Sequence, residues 1–124
     1  MAYENIIFET EGKVAVIKFN RPKALNAINP DVLTEIQDAL DRIEEDPNIN
    51  VLVLTGEGDK AFVAGADIAH MVKLNPLQTR NFARAGHELG FRLESLPIPV
   101  MACVNGFALG GGAEIAMAAD FIYA

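Results

Sequence analysis

The run Ala108-Leu109-Gly110-Gly111-Gly112-Ala113-Glu114 constrains this chain more than any other stretch. Apolar Val100-Met101-Ala102-Cys103-Val104 leads into it, and Ala113-Glu114-Ile115-Ala116-Met117-Ala118-Ala119 leads out in strong helix formers. The glycines therefore fall at a strand-to-helix turn. Residues without side chains let a ligand approach the backbone, and the first N–H groups of a helix lack internal acceptors and carry partial positive charge. Such a turn suits an oxygen that becomes anionic, with Glu114 beside it as an acid/base group. A second reading fits the run equally well: the glycines only let helix and sheet pack tightly, and Glu114 is a first-turn glutamate favoured by the helix dipole.

The rest of the chain alternates strands with helices. Asn5 to Glu9 and Val14 to Phe19 read as a hairpin joined at Glu11-Gly12-Lys13, with Asn20-Arg21-Pro22 ending the pattern. Pro30 and Asp31 open a helix whose Val32, Leu33, Ile36, Leu40 and Ile43 share one face, leaving Asp38, Asp41, Glu44 and Glu45 to solvent. Val51-Leu52-Val53-Leu54-Thr55, bounded by Gly56, reads as a strand buried on both sides. Leu77, Phe82, Ala85, Leu89, Leu93 and Leu96 keep helical spacing until Pro97 and Pro99. Val100 to Val104 is the next buried strand, and the chain stops inside another at Asp120 to Ala124. Strands separated by helices imply an α/β layered fold with a largely parallel sheet, whose ligands bind at the carboxyl ends of strands.

A length of 124 residues suits one small domain, and 51% hydrophobic residues is enough for a core. The net charge of −7, with ten scattered Lys and Arg, excludes nucleic acid as a partner. A small anionic ligand stays open, because local cations and backbone dipoles can bind one. The lone Cys103 lies in an apolar strand, which rules out a disulfide framework and implies a small buried hydrophobe in a reducing, cytoplasmic setting. No apolar run reaches the length of a membrane span, and Met1-Ala2-Tyr3-Glu4-Asn5 lacks the features of a signal peptide.

A second special segment is Phe62-Val63-Ala64-Gly65-Ala66-Asp67-Ile68. Small residues flank Gly65, and Asp67 is suited to cap a short helix through Ile68, Met71 and Val72. Alone it is an ordinary capped turn. Two such turns, each after a buried strand, point to convergence on one site.

At these residues the chain resembles the enoyl-CoA hydratase/isomerase (crotonase) superfamily. Asn20-Arg21-Pro22-Lys23-Ala24-Leu25-Asn26-Ala27, then Phe62 to Ile68, then Val104-Asn105-Gly106-Phe107 running on into Ala108 to Glu114, match its motifs in order and spacing from one end to the other. The resemblance implies a crotonase-like spiral of ββα turns, incomplete at the carboxyl end, with residues 1–124 as the amino-terminal part of a single domain. It implies binding of acyl-CoA thioesters and stabilisation of an enolate at the thioester carbonyl, as in fatty acid β-oxidation. The N–H groups of Ala66 and Gly111 would form the oxyanion hole, and Glu114 would be the first of two acid/base glutamates. A buried carboxylate is expected there, since desolvation moves its pKa toward the working pH. The second glutamate, further ββα turns and a helical region used in assembly as a trimer or dimer of trimers belong beyond Ala124.

By the same resemblance Ala64, Ala66, Asp67, Ile68 and Ala69 border the CoA adenine and pantetheine, while Lys23, Ala24 and Leu25 form a loop beside the nucleotide. Lys23 either meets a CoA phosphate or is an exposed loop lysine. Met71, Leu74 and Phe82 either wall the acyl pocket or are plain core. The implied activity is syn hydration of 2-enoyl-CoA to 3-hydroxyacyl-CoA. An isomerase or other lyase of the family, and a non-catalytic acyl-CoA-binding or assembly fragment, are the alternatives, and the 124-residue piece alone is expected to be inactive.

Competing chemistries fail by inventory. The only serine is Ser95, outside both glycine turns, so the related Clp-type serine chemistry is not expected. His70 and His87 lie on separate helical stretches without a zinc pattern and read as surface or satisfied polar residues. Gly110-Gly111-Gly112 lacks the Lys-Ser/Thr of a phosphate loop and comes too late for a dinucleotide fingerprint. No metal or redox cofactor is expected, coenzyme A being part of the substrate.

Overall fold

Strands β1 (Ile6–Glu11) and β2 (Val14–Phe19) form the antiparallel hairpin, with Gly12 at φ +60 in the turn. This computed structural model describes residues 2–124. The first strand runs two residues past the sequence reading, because Thr10 and Glu11 pair with Ala15 and Val14 at the sheet edge, where polar side chains cost nothing. Helix α1 (Pro30–Glu45) starts where Pro30 places it, and the Asn29 side chain caps it by accepting from the Val32 N–H at 2.9 Å. Strand β3 (Val51–Gly56) then pairs parallel to β2.

After β3 come β4 (Ala61–Val63), the single-turn helix α2 (Ile68–Met71) and α3 (Pro76–Ser95), the last opened by an Asn75/Gln78 capping box. Strand β5 (Val100–Cys103), β6 (Phe107–Ala108), α4 (Gly111–Ala118) and β7 (Phe121–Tyr123) complete the described chain. The main sheet has the order β1-β2-β3-β5-β7, parallel except at β1. A separate two-stranded parallel sheet joins β4 to β6. Neither small strand was legible in the sequence, since two or three residues carry no periodicity.

Register explains where the core sits. Ala15, Leu52 and Val100 are neighbours across three strands, as are Ile17, Leu54 and Ala102, and all six are buried. They pack on Val32, Leu33, Ile36, Leu40 and Ile43 of α1 and on Leu89 and Leu93 of α3. Each such Ile, Leu or Val contributes roughly 1.5–3 kcal/mol through burial. The alternate residues Val51, Val53 and Thr55 are only half-buried, which corrects the expectation of a strand buried on both sides. Period-2 alternation was hidden because both faces of β3 are apolar. Leu77, spaced like a core residue, is 65% exposed beside the α3 N-terminus, and Cys103 is half-buried.

Two buried polar residues tie loops to this frame. Glu35 on α1 accepts from the N–H groups of Glu4 and Asn5 and from the Asn5 side chain, pinning the amino-terminal segment. Asn26 sits at φ +57, next to Leu25 at φ +52, so two consecutive non-glycine residues are left-handed. Its carboxamide compensates that strain. The oxygen accepts from the Arg21 N–H at 2.8 Å, while the nitrogen donates to Ala61 at 3.0 Å and Glu57 at 3.3 Å. Replacing Asn26 with Ala should destabilise the fold by roughly 3 kcal/mol in denaturant titrations, through unpaired buried groups and backbone strain together. Asn26→Gly, which relieves only the strain, should cost measurably less.

Candidate functional site

The three glycines of the opening run divide the two readings between them. Gly110 adopts φ +51 with ψ −117, a conformation that leaves room for little but glycine, and so allows the turn from β6 into α4. Gly112 is a packing residue: a Cβ there would fall 1.8 Å from the Val63 carbonyl oxygen. Gly111 between them has open space where its side chain would be. Packing and ligand access are therefore both present, one residue apart.

Peptide geometry sets where the two expected donors point. The Gly65 carbonyl accepts from the Ile28 N–H at 2.9 Å, and in a trans peptide the Ala66 N–H must point the opposite way. The Gly110 carbonyl accepts from the Glu114 N–H at 3.0 Å as the first bond of α4, which turns the Gly111 N–H out of the helix start. Neither N–H meets an acceptor among the described residues. Both residues border one cavity of about 400 Å³, together with Glu114. Gly111 and Glu114 are three apart on α4 and so share a face. The structure thus brings Ala66, Gly111 and Glu114 to one space.

Glu114 departs from expectation in one respect. Its side chain is exposed rather than buried. Gly86 and Gly90 of α3 also border the cavity, and a Cβ on either would meet nothing within 4 Å. Sequence reasoning passed over both glycines, although two glycines four apart inside a helical pattern cost about 1 kcal/mol each and signal a need for space. His87, read as a surface residue, is exposed but also borders the cavity. His70 is half-buried and stands edge-on to Phe82. Met71 and Phe82 border the cavity and Leu74 a neighbouring groove, all three half-buried.

The remaining expected residues do not border the cavity, and they gather in two neighbouring turns. Lys23 and Ala24 lie in a single 3-10 turn, and Leu25 closes it. The Leu25 carbonyl accepts from the Ala64 N–H at 3.1 Å, so the 22–25 turn and the 64–69 turn are stitched side by side. Ile68 and Ala69 are exposed on α2, and Asp67 caps that helix by accepting from the His70 N–H at 3.2 Å. Burial opposes ionisation of Asp67. The Arg21 hydrogen bond, the His70 and Ala69 amides and the Arg21 charge outweigh it, holding the carboxyl below its ordinary value of 3.8. Its contribution to stability is complete above the ordinary carboxylate range and is lost as pH falls through the lowered value. Among the described residues no group of three His, Cys, Asp or Glu could hold a metal, and no helix is long and apolar enough to cross a membrane.

The glycine assignments make opposite demands. Gly112→Ala should destabilise the protein by about 3 kcal/mol, because backbone rather than a flexible side chain blocks the new methyl. Gly111→Ala should leave the melting temperature nearly unchanged.

Comparison with known proteins follows the same lines. The family described as enoyl-CoA hydratase/isomerase matches residues 9–124. A crotonyl-CoA hydratase of Syntrophomonas wolfei is 54% identical over 98% of this chain and 46% of its own length. A short-chain-enoyl-CoA hydratase of Clostridium acetobutylicum is 52% identical over 97% of this chain and 46% of its own. The crystal structure of an enoyl-CoA hydratase from Bacillus anthracis superposes with a TM-score of 0.94 at 38% identity, covering 96% of this chain and 46% of that one. The chain spans about half the length of the relatives it matches.

Proposed function

Because this chain belongs to the enoyl-CoA hydratase/isomerase family, we propose that the whole protein hydrates short-chain 2-enoyl-CoA thioesters by syn addition of water. The product is the 3-hydroxyacyl-CoA. One observation carries the reading: two backbone donors without partners and one carboxylate border the same cavity. Relatives named for crotonyl-CoA and short-chain enoyl-CoA support the substrate class.

The chemistry asks for those three groups. Water's oxygen bonds to C3 of the enoyl group, and the C2–C3 π pair moves toward the thioester oxygen, which becomes anionic. The N–H groups of Ala66 and Gly111 meet that charge, each worth about 3 kcal/mol when preorganised. Glu114 takes the proton that water loses, and C2 accepts a proton to finish the product. A second carboxylate outside this chain shares the proton traffic, and its position separates a hydratase from an isomerase or other lyase built on the same enolate. No dissociable cofactor enters, since coenzyme A arrives with the substrate.

The stitched turns carrying Lys23, Ala24, Leu25, Ala64, Asp67, Ile68 and Ala69 border the CoA portion in this reading, with the exposed Lys23 near its phosphates. The protein works in the cytoplasm as a trimer or dimer of trimers. Val72, which follows α2 and is 75% exposed, is an apolar surface residue of the kind subunit contacts cover.

Glu114→Gln keeps the shape of the side chain and removes the base. In the whole protein it should lower kcat for crotonyl-CoA hydration by roughly 10²–10⁴-fold, followed by loss of the conjugated thioester absorbance. Turnover at the wild-type rate would remove Glu114 from the chemistry.

A further inference from the structure

Arg21 lies outside the cavity, and the scheme above gives its guanidinium no part. We propose that Arg21 is a positioning residue that aims the Ala66 N–H, acting through a clasp on Ala27 and Asp67. The inference rests on the reading of Ala66 as a donor to the thioester oxygen.

The clasp brackets the one bridge that orients Ala66. Ile28 pairs with Ala66 in an isolated parallel bridge, its N–H donating to Gly65 at 2.9 Å and its carbonyl accepting from the Asp67 N–H at 2.8 Å. Arg21 grips the residue before Ile28 and the residue after Ala66. Its Nη1 donates to the Ala27 carbonyl at 2.6 Å and its Nη2 to the Asp67 carboxylate at 3.0 Å. Both side chains are largely covered, at 21% and 16% exposure, so the pair is less screened than a surface bridge. A planar fork can serve two divergent acceptors at once, and a lysine cannot reproduce that geometry.

Backbone bonds at Ala64, Gly65 and Asp67 hold the turn in place, but side-chain restraint on it is sparse. Gly65 sits at φ +124, where the backbone has no side chain to limit it. Helix α2 on the far side is four residues long and has no buried residue, so packing of α2 does not anchor that side of the turn. Asn26 anchors the other end of the 21–27 loop, against Glu57 and Ala61. Arg21 is thus the side-chain tie that reaches both strands of the bridge. Without it the Gly65–Ala66 peptide keeps its bond to Ile28 but can tilt about it while the fold stands, and a donor so displaced loses its advantage where charge develops.

The test uses Arg21→Met, Arg21→Lys and Asp67→Asn in the whole protein, with hydration kinetics and the carbonyl stretch of a bound enoyl thioester as readouts. R21M and D67N should each lower kcat roughly 10- to 100-fold while KM moves less than about threefold. The carbonyl band, displaced to lower frequency by the wild type, should return toward its free position. R21K should recover part of both, and the R21M/D67N double variant should be no slower than the slower single. Since Asn still caps α2, D67N carries the test if R21M fails to fold. Wild-type kcat and band displacement in folded R21M or D67N would overturn the clasp alone. A wild-type protein that neither hydrates crotonyl-CoA nor displaces the band overturns the reading of the site, and the clasp with it.

Discussion

The contact of Gly112 with Val63 is the constraint from which the site follows. The Val63 carbonyl accepts from the Leu109 N–H at 3.2 Å and at the same time lies where a Gly112 side chain would be. Helix α4 therefore starts flush against β4. Val63 is followed within three residues by Ala66, and Gly112 is preceded by Gly111, so one backbone contact brings the two donor-bearing turns to the same place. The pairing of β4 with β6 is only two or three residues long, yet it makes this approach while all three residues of β4 are buried. Phe62, packed edge-on to Phe19 at 5.5 Å, anchors β4 in the core below.

The two donors reach the cavity by different physical routes. Gly111 belongs to a helix, and its direction is fixed by the hydrogen-bond ladder and favoured by the dipole of α4. Ala66 belongs to a loop, and its direction is fixed by a single bridge to Ile28 with side-chain support around it. The helical donor is therefore robust, and the loop donor depends on neighbours that touch no substrate. That asymmetry explains why the 20–28 segment, apparently a connector, holds two left-handed residues, a fully bonded buried asparagine and an arginine fork. Such strain persists only where surrounding bonds over-determine it.

Long periodic elements were legible in the sequence because their burial is one-sided. The α1 face, the hairpin, β3, β5 and the strand-to-helix character of the glycine run all emerge from spacing, and the family resemblance rests on the same segments. What escaped notice depends on tertiary contact. Asn26 carries no pattern that distinguishes it from any loop asparagine, yet its buried amide satisfies three backbone groups. The exposure of Glu114 is a tertiary property that its place in the first turn of α4 does not reveal. The glycine run was undecidable for a similar reason, since which glycine packs and which faces open space is settled by Val63, nearly fifty residues earlier.

Backbone donors also explain the composition around the site. A hydroxyl or amide side chain would have to give up rotamer freedom when it meets a developing charge, and it could turn instead toward water or a neighbouring carbonyl. A peptide N–H whose own carbonyl partner is already bonded has no such alternative: rotating it away breaks the Ile28 bond in one case and the first bond of α4 in the other. Small side chains at the two donors, Ala66 and Gly111, keep that N–H open to the cavity, while Gly65 and Gly110 supply the positive φ that the turns need. The cost is that such residues restrain their own backbone poorly. Restraint must then come from residues one shell away, which makes the polar ties of the 20–28 segment as much a part of the donor as the peptide that bears it.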